Sequence, residues 1–181
     1  MNHADQRSSL PLLRQQSHPE CFACGPANAC GLGLQFHVAE DGAVEAPFAC
    51  QSVFAGYPGM LHGGISCTLL DGAMTNCLFA HGLAAVTVDL SVRFHHPVTV
   101  SLPAVVRAWL KTEGSPVHRL AAEVVQQGRV AATAAARFVD KQALSWFGWP
   151  DGDRRGAARD RVRRHGRPIL PRRAVPDCRS F

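Results

Sequence analysis

The sequence predicts an α+β domain in which an antiparallel β-sheet wraps around one long central helix. Three observations lead to this prediction: a proline-free segment with helical spacing of its apolar residues, a hairpin signal before it, and four β-rich runs after it. Apolar residues make up 46% of the 181-residue chain, which is enough for a sizeable core in one domain. A sheet that curls around an apolar helix buries that helix on all sides.

The central helix is predicted to run from His62 to about Ala80. Its apolar residues recur at helical spacing, at positions 65, 69 and 73 and at positions 70, 74 and 78. The helix is therefore apolar nearly all round and is expected in the interior. Gly82 follows it and can end it.

Strands are predicted on both sides of the central helix. Asp41-Gly42 is a hairpin signal between the first two strands, residues 34–40 and 43–51. Four runs rich in β-branched residues come after the helix, at 84–94, 104–112, 118–127 and 129–140. The alanines of 131–136 fit a helix or a strand, and we predict a strand because only a strand completes the sheet.

The chain divides into a flexible lead (1–19), a folded domain (20–140) and a basic tail (141–181). The tail holds 11 Lys and Arg and 4 Asp and Glu, a net charge of +7, whereas the first 140 residues have −2. Its Arg, Pro and Gly content predicts a largely disordered segment, from which "LSWFGWP" can dock on the domain. The tail can touch nucleic acid, ligands that carry phosphate groups or anionic membrane, but it lacks interleaved aromatic residues, so no specific nucleic-acid partner is expected.

The sequence favours a cytoplasmic location. No run approaches the ~18 apolar residues of a membrane span. The N-terminal stretch "MNHADQRSSLPLLRQQSHPE" is polar and has no apolar signal core. The seven cysteines are scattered and odd in number, which predicts reduced thiols.

Asp71 is a lone carboxylate on the predicted central helix. From Phe54 to Val92, Asp71 and Asp89 are the only charged residues. Burying a carboxylate is costly unless it is paired or useful. In the structural interpretation Asp71 bonds to a hydroxyl such as that of Thr75, one turn on. In the catalytic interpretation it is a general base or nucleophile whose pKa is raised by apolar surroundings.

The glycines at the start of the helix favour the catalytic interpretation. The first amides of a helix lack partners, and Gly63 and Gly64 let a ligand come close to the backbone. With the helix dipole they form a candidate oxyanion site for acyl transfer. Gly63 and Asp71 are eight residues apart, about 12 Å along a helix, so one chain does not easily bring both to one carbonyl. Two antiparallel copies do, which predicts a homo-oligomer with active sites across its interface.

Three segments resemble one protein family. "GMLHGGISCTLLDGAM" resembles the signature of the hotdog-fold acyl-CoA thioesterases of the PaaI-like kind, which has His-Gly-Gly at the helix start and an acid nine residues after the His. "CFACGPANACGLGLQF" resembles the Cys-x-x-Cys-Gly-x-x-Asn lead of one branch, and "VTVDLSVRFHHPV" resembles the strand after the helix. The resemblance covers roughly residues 20–140. It implies the hotdog fold and hydrolysis of acyl-CoA thioesters, a reaction that needs no metal or cofactor.

The resemblance also implies roles for individual residues. Asp71 activates water against the thioester carbonyl or attacks it directly, and the Gly63 amide is the oxyanion donor. His62 shapes this loop. Thr87, sixteen residues after Asp71, and Thr75, four residues after it, match hydroxyls used by different members. We prefer Thr87, because Thr75 can simply satisfy Asp71.

One position departs from the family pattern. Many members have Asn or Gln six residues before the His, as a polar partner for the acid or its water, and here that residue is Gly56. Asn28 is a candidate to replace this group from the N-terminal segment. The departure keeps one alternative function open, a non-catalytic acyl-CoA-binding or acyl-ligand-binding protein on the same fold.

The cysteine-rich segment supports a second alternative. Cys21-x-x-Cys24, with Cys30 nearby, resembles part of a structural zinc site, which needs four ligands. The candidates for the remaining ligand are His18, His37 and Cys50. This interpretation gives a zinc-stabilised interaction or nucleic-acid protein. We prefer buried thiols that pack a Gly-rich loop, and we predict no metal site.

Overall fold

The computed structural model describes residues 3–147. Within them the elements are α1 (His3–Ser17), β1 (His37–Val38), β2 (Val44–Ala49), α2 (Gly63–Ala80), β3 (Ala85–Phe94), β4 (Pro103–Thr112), β5 (Val117–Gln126) and β6 (Arg129–Asp140). Short 3-10 segments follow β2 and β6, at Ser52–Phe54 and Lys141–Phe147. The predicted order of two strands, a long helix and four strands is confirmed.

The strands form one antiparallel sheet in the order β1-β2-β4-β5-β6-β3. The hairpin between β1 and β2 turns at Asp41-Gly42, where Asp41 Oδ1 accepts the Ala43 N–H at 3.1 Å and Gly42 has a φ of +84°. Strand β3 pairs with β6 alone among the described strands, so it forms one edge of the sheet. Strand β3 also contacts the central helix.

Helix α2 lies at the centre of the core, as its all-round apolar pattern predicts. Six of its apolar side chains are completely buried: Leu69, Leu70, Ala73, Met74, Cys77 and Leu78. Full burial of a Leu or Met side chain stabilises the fold by about 1.5–3 kcal/mol. The alanine-rich β6 is a strand, and its buried Ala132, Ala134 and Ala136 lie opposite Val124, Ala122 and Leu120 of β5.

The N-terminal segment differs from the prediction of a flexible lead. Residues His3–Ser17 form α1, which packs against α2 and β1. Leu10 is only 3% exposed and belongs to the core. The helix carries Pro11 in its interior and is polar over most of its surface, and both features weaken the sequence signal for a helix. Tertiary packing of its few apolar side chains therefore decides its structure.

The predicted tail begins as an ordered segment. Lys141–Phe147 form 3-10 turns, and Ala143 is buried against the domain. The predicted disorder of the rest of the tail, and the docking of its aromatic side chains, lie outside the described residues. Among residues 3–147, no helix combines the length and the apolar character that a membrane span requires.

Candidate active site

His62 caps the N-terminus of α2. Its backbone is extended (φ −61°, ψ 134°), and its Nδ1 accepts the N–H of Gly64 at 2.9 Å. Its carbonyl accepts the N–H groups of Ile65 and Ser66 at 3.0 and 3.2 Å. A Cβ on Gly64 would lie 2.9 Å from that Nδ1 atom, so the cap requires a glycine there. Gly64, expected to face substrate, thus uses its amide inside the cap.

The amide of Gly63 does not take part in the cap. Its N–H has no hydrogen-bond partner within residues 3–147, whereas the next three amides of α2 are all bonded to His62. Gly63 is exposed. A single preset donor at the positive end of a buried helix is suited to a developing oxyanion.

A cavity of about 420 Å³ adjoins Gly63. Its walls come from the loop before α2 and from the end of β3 and the residues after it, and they include Tyr57, Met60, Leu61, Phe94 and Val98. The lining is largely apolar, as an acyl group requires. Asp71 is not among the lining residues. Within one chain, therefore, the free amide and the acid do not face the same cavity.

Asp71 is half-buried on α2 and is bonded to Thr87 of β3. The Thr87 hydroxyl donates to Asp71 Oδ1 at 2.7 Å. The pairing of β3 with β6 shifts register between Thr87 and Asp89, which is a bulge. Bulges re-aim side chains and are common beside active sites. The structure thus brings together the predicted acid and the preferred threonine.

Burial raises the pKa of the Asp71 carboxyl above its ordinary value. The Thr87 hydrogen bond opposes the rise, because it stabilises the charged form. The charge of Cys21 raises the pKa further and that of His18 lowers it. A carboxylate with a raised pKa is a stronger base than an exposed one, which suits proton abstraction from water.

Neither Thr75 nor Asn28 forms a hydrogen bond to Asp71 in residues 3–147. Thr75 lies one turn further along α2 and is buried, but the hydroxyl that bonds Asp71 is that of Thr87. Asn28 is used inside its own loop: its Nδ2 donates to Glu20 O at 3.2 Å, and its Oδ1 accepts the Cys30 N–H at 3.0 Å.

Gly56 touches the cap residue His62. A Cβ on Gly56 would lie 3.1 Å from His62 Cδ2 and 3.2 Å from His62 Cα. A side chain at this position would therefore displace the cap by a few tenths of an ångström. Many family members have Asn or Gln at the position of Gly56. The observed placement of His62 leaves room only for a glycine there without a shift.

Sequence reasoning missed Asn76. This residue is completely buried on α2, where its Nδ2 donates to Gly72 O at 2.8 Å and to Cys24 Sγ at 3.3 Å. Asn76 thus joins the loop that contains Cys21 and Cys24, called the cysteine loop, to the helix that bears Asp71. The available signal was a lone amide on an apolar helix. Of the candidate zinc ligands, His18, Cys21 and Cys24 come together, and Cys30, Cys50 and His37 do not join them.

The chain matches the family model described as the thioesterase superfamily over residues 58–133. This range contains the cap, Gly63, Asp71 and Thr87. No curated protein sequence gives a significant match.

Three solved structures show the same fold. A thioesterase superfamily protein is 27% identical, with a TM-score of 0.61; the match covers 65% of this chain and 61% of that chain, less than two thirds of its length. The Escherichia coli PaaI protein from the phenylacetic acid degradation operon is 16% identical over 76% of this chain and 94% of that one (TM-score 0.64). A hypothetical thioesterase of Streptococcus pneumoniae TIGR4, solved with coenzyme A, is 19% identical, with a TM-score of 0.56. The match covers 59% of this chain and 84% of that chain.

A central helix in a curved antiparallel sheet is the hotdog architecture that the resemblance implied. The chain therefore has the hotdog fold and resembles the thioesterase superfamily, whose family model it matches over residues 58–133.

Proposed function

We propose that this protein hydrolyses acyl-CoA thioesters to the free acid and CoA. The observation that supports this most is the acid on α2: Asp71 is half-buried, its pKa is raised, and its orientation is fixed by Thr87. The name of the Streptococcus pneumoniae thioesterase, solved with coenzyme A, supports CoA esters as the substrate class.

In the proposed reaction, Asp71 takes a proton from water while the water oxygen attacks the thioester carbonyl. The carbonyl oxygen becomes negative and accepts the Gly63 N–H. The carbon–sulfur bond then breaks, and the CoA thiolate leaves with the proton that Asp71 took up. In the alternative, direct attack by Asp71 breaks the carbon–sulfur bond, expels the CoA thiolate and gives an acyl-enzyme anhydride; water then opens the anhydride and supplies the proton that the thiolate takes up. A single turnover in oxygen-18 water distinguishes the two, because only the second route labels Asp71.

The reaction requires two copies of the chain. Asp71 and Gly63 lie about 12 Å apart along α2, and Asp71 is absent from the cavity beside Gly63. Edge strand β3 offers a surface for a second copy, since Val88 and Phe94 are 53% and 55% exposed. We therefore propose a homodimer, or a dimer of dimers, in which Gly63 of one subunit faces Asp71 of the other.

A panel of acyl-CoAs with a thiol-trapping reagent tests the proposal. We expect thiol release from the wild type and a loss of about 10²- to 10⁴-fold in Asp71→Asn, the range for a general base. Gly63→Pro removes only the free N–H, and the extended backbone of His62 is compatible with a following proline. Gly63→Ala is the matched control, because it keeps the N–H and its Cβ would lie 3.5 Å from Phe94.

Gly56 supports one second candidate, a non-catalytic acyl-CoA-binding protein. The family's usual polar group for the acid or its water is absent at this position, and Asn28 does not supply it. Acyl-CoA binding without thiol release from any member of the panel would favour this candidate. Thiol release that depends on Asp71 would exclude it.

A further inference from the structure

A second cluster of reactive side chains lies beside the proposed catalytic acid. A ring nitrogen of His18 and the Sγ atoms of Cys21 and Cys24 all lie within 4.8 Å of one another. Both cysteines are free thiols. Thiolate and imidazole together are the ligand set with which proteins hold zinc.

The local backbone gathers these three side chains. The Cys21 N–H donates to His18 O at 3.3 Å, and the Gly25 N–H donates to Cys21 O at 2.8 Å. A Cβ on Gly25 would collide with the backbone of Cys21, so the second turn needs a glycine. The pattern His-x-x-Cys-x-x-Cys-Gly thus brings three separated positions to one point.

The cluster is buried at Cys24 and partly exposed at His18 and Cys21. Cys24 is 1% exposed, and its Sγ accepts a hydrogen bond from Asn76, a residue with no exposed surface. Amide donors of this kind stabilise metal-bound thiolates and orient them.

Two buried polar atoms at this place lack partners. Neither His18 Nδ1 nor Asn76 Oδ1 has a hydrogen-bond partner within residues 3–147. Such atoms are rare in folded proteins and costly. A metal ion held through a ring nitrogen of His18 would add a polar interaction at this place.

We propose that His18, Cys21 and Cys24 bind one zinc ion, with water in the fourth position. Both cysteines bind the ion as thiolates, and any thiol proton that remains is released to solvent, so the ion and the two thiolates are neutral together. No fourth His, Cys, Asp or Glu joins the cluster in the part of the chain that the structure describes. Three protein ligands with one open position are typical of zinc sites that keep an exchangeable ligand.

The same cysteines offer one competing chemistry, a redox dithiol. The pKa of Cys21 is lowered because the Cys24 thiol and His18 stabilise its thiolate, which either chemistry can use. A dithiol that exchanges with partners needs no imidazole, however, and the second sulfur here is buried. The His18 ring nitrogen as a third ligand and the burial of Cys24 therefore favour a metal site over a redox dithiol.

The ion would fasten the N-terminal region to the helix that bears Asp71. His18 directly follows α1, and its ring packs edge-on against Phe79 of α2 with 5.1 Å between the centroids. Gly72, next to Asp71, has so little room that a Cβ there would lie 3.0 Å from Ala23 Cβ. When the ion is removed, α1 and the cysteine loop should therefore lose their packing earlier than the sheet does.

The metal content of the full-length protein, expressed with zinc in the medium and purified without chelator, tests the proposal. We expect about one zinc per chain in the wild type and loss of that zinc in Cys21→Ser, Cys24→Ser and His18→Gln. Cys67→Ser is the matched control, because Cys67 is a half-buried free thiol on α2 outside the cluster. Exchange with Co²⁺ should give thiolate-to-cobalt charge-transfer absorption in the wild type and the control only.

A chelator adds a readout that does not depend on how the variants fold. It should lower the Tm of the wild type and of Cys67→Ser by about 5–10 °C. Zinc-free wild type that shows no cobalt band would overturn the proposal. So would a Cys21–Cys24 disulfide, found by mass spectrometry after rapid alkylation. None of these measurements uses a thioester, so their outcome is independent of the proposed hydrolysis.

Discussion

Thr87 donates a 2.7 Å hydrogen bond to Asp71 and so joins edge strand β3 to the central helix. The bond fixes a carboxylate that the apolar surroundings would otherwise destabilise. It also ties the acid to the strand that is exposed for a second subunit. In the proposed dimer, the orientation of the base and the assembly of the two subunits are thus linked through one side chain.

Replacing Thr87 by valine should lower kcat about 10-fold or more, because a hydrogen bond to a charged group contributes about 1.5–3 kcal/mol. The same bond lowers the pKa of Asp71, so its loss should move the acid limb of the kcat/KM profile to higher pH. Thr75 lies on the same helix as Asp71 but has no hydrogen bond to it, so Thr75→Val is the control. The acid limb of its kcat/KM profile should stay at the wild-type pH. An unchanged limb in Thr87→Val would contradict the role of this bond.

Asp71→Asn should lower turnover by about 10²- to 10⁴-fold and stabilise the fold at neutral pH. Burial raises the pKa of Asp71 above the ordinary value of 3.8, so the folded state holds the proton at pH values where the unfolded state has lost it. The free energy of unfolding of the wild type then falls as the pH rises from 3.8 through the raised pKa, and Asn escapes this loss.

Thermal unfolding of both proteins between about pH 4 and pH 8 checks this sign. The Tm difference in favour of Asp71→Asn should grow with pH and then level off. Asp89→Asn removes an exposed carboxylate of β3 that is ion-paired with Arg137, and it controls for the loss of a negative charge outside the interior. A difference that shrinks as the pH rises would be incompatible with an acid destabilised by burial.

His62→Ala should destabilise the protein through the N-terminus of α2. The variant loses the Nδ1 atom that accepts the Gly64 N–H, and loss of a cap costs about 1 kcal/mol, or about 2–4 °C in Tm. Asn is a good cap residue, so His62→Asn should restore most of the Tm. Equal losses in the two variants would show that the cap is not what His62 contributes to stability.

The parts of the fold with strong periodicity could be predicted from sequence. Helix α2 and strand β6 match their predicted bounds to within one residue, because continuous apolar spacing and flanking breakers define them. The predicted strand 34–40 shrinks to His37–Val38, since only those residues pair with β2. Helix α1 was missed because its stability comes from packing against α2 rather than from its own pattern.

The contacts of the site were harder to predict than its residues. The spacing along α2 suggested Thr75 as a partner of Asp71, because residues four apart share a helix face. The actual partner, Thr87, lies on another element, and only the family resemblance pointed to it. The same limit applies to Asn76 and Cys24, which meet across 52 residues of sequence.

Active sites shared between subunits predict that two inactive variants restore each other. In a heterodimer of Asp71→Asn and Gly63→Pro chains, one site combines Asp71 of the second chain with Gly63 of the first and is intact. The other site lacks both groups. If each chain held a complete site by itself, both sites would be broken.

Co-expression with two different affinity tags, followed by tandem purification, isolates this heterodimer. Its thiol release per dimer should be about half that of the wild type, since one of its two sites is whole. A heterodimer of Asp71→Asn and Asp71→Ala chains is the control and should be inactive, because no arrangement supplies an acid. Activity no higher than that of the control would place the free amide and the acid in separate reactions and would refute the shared site.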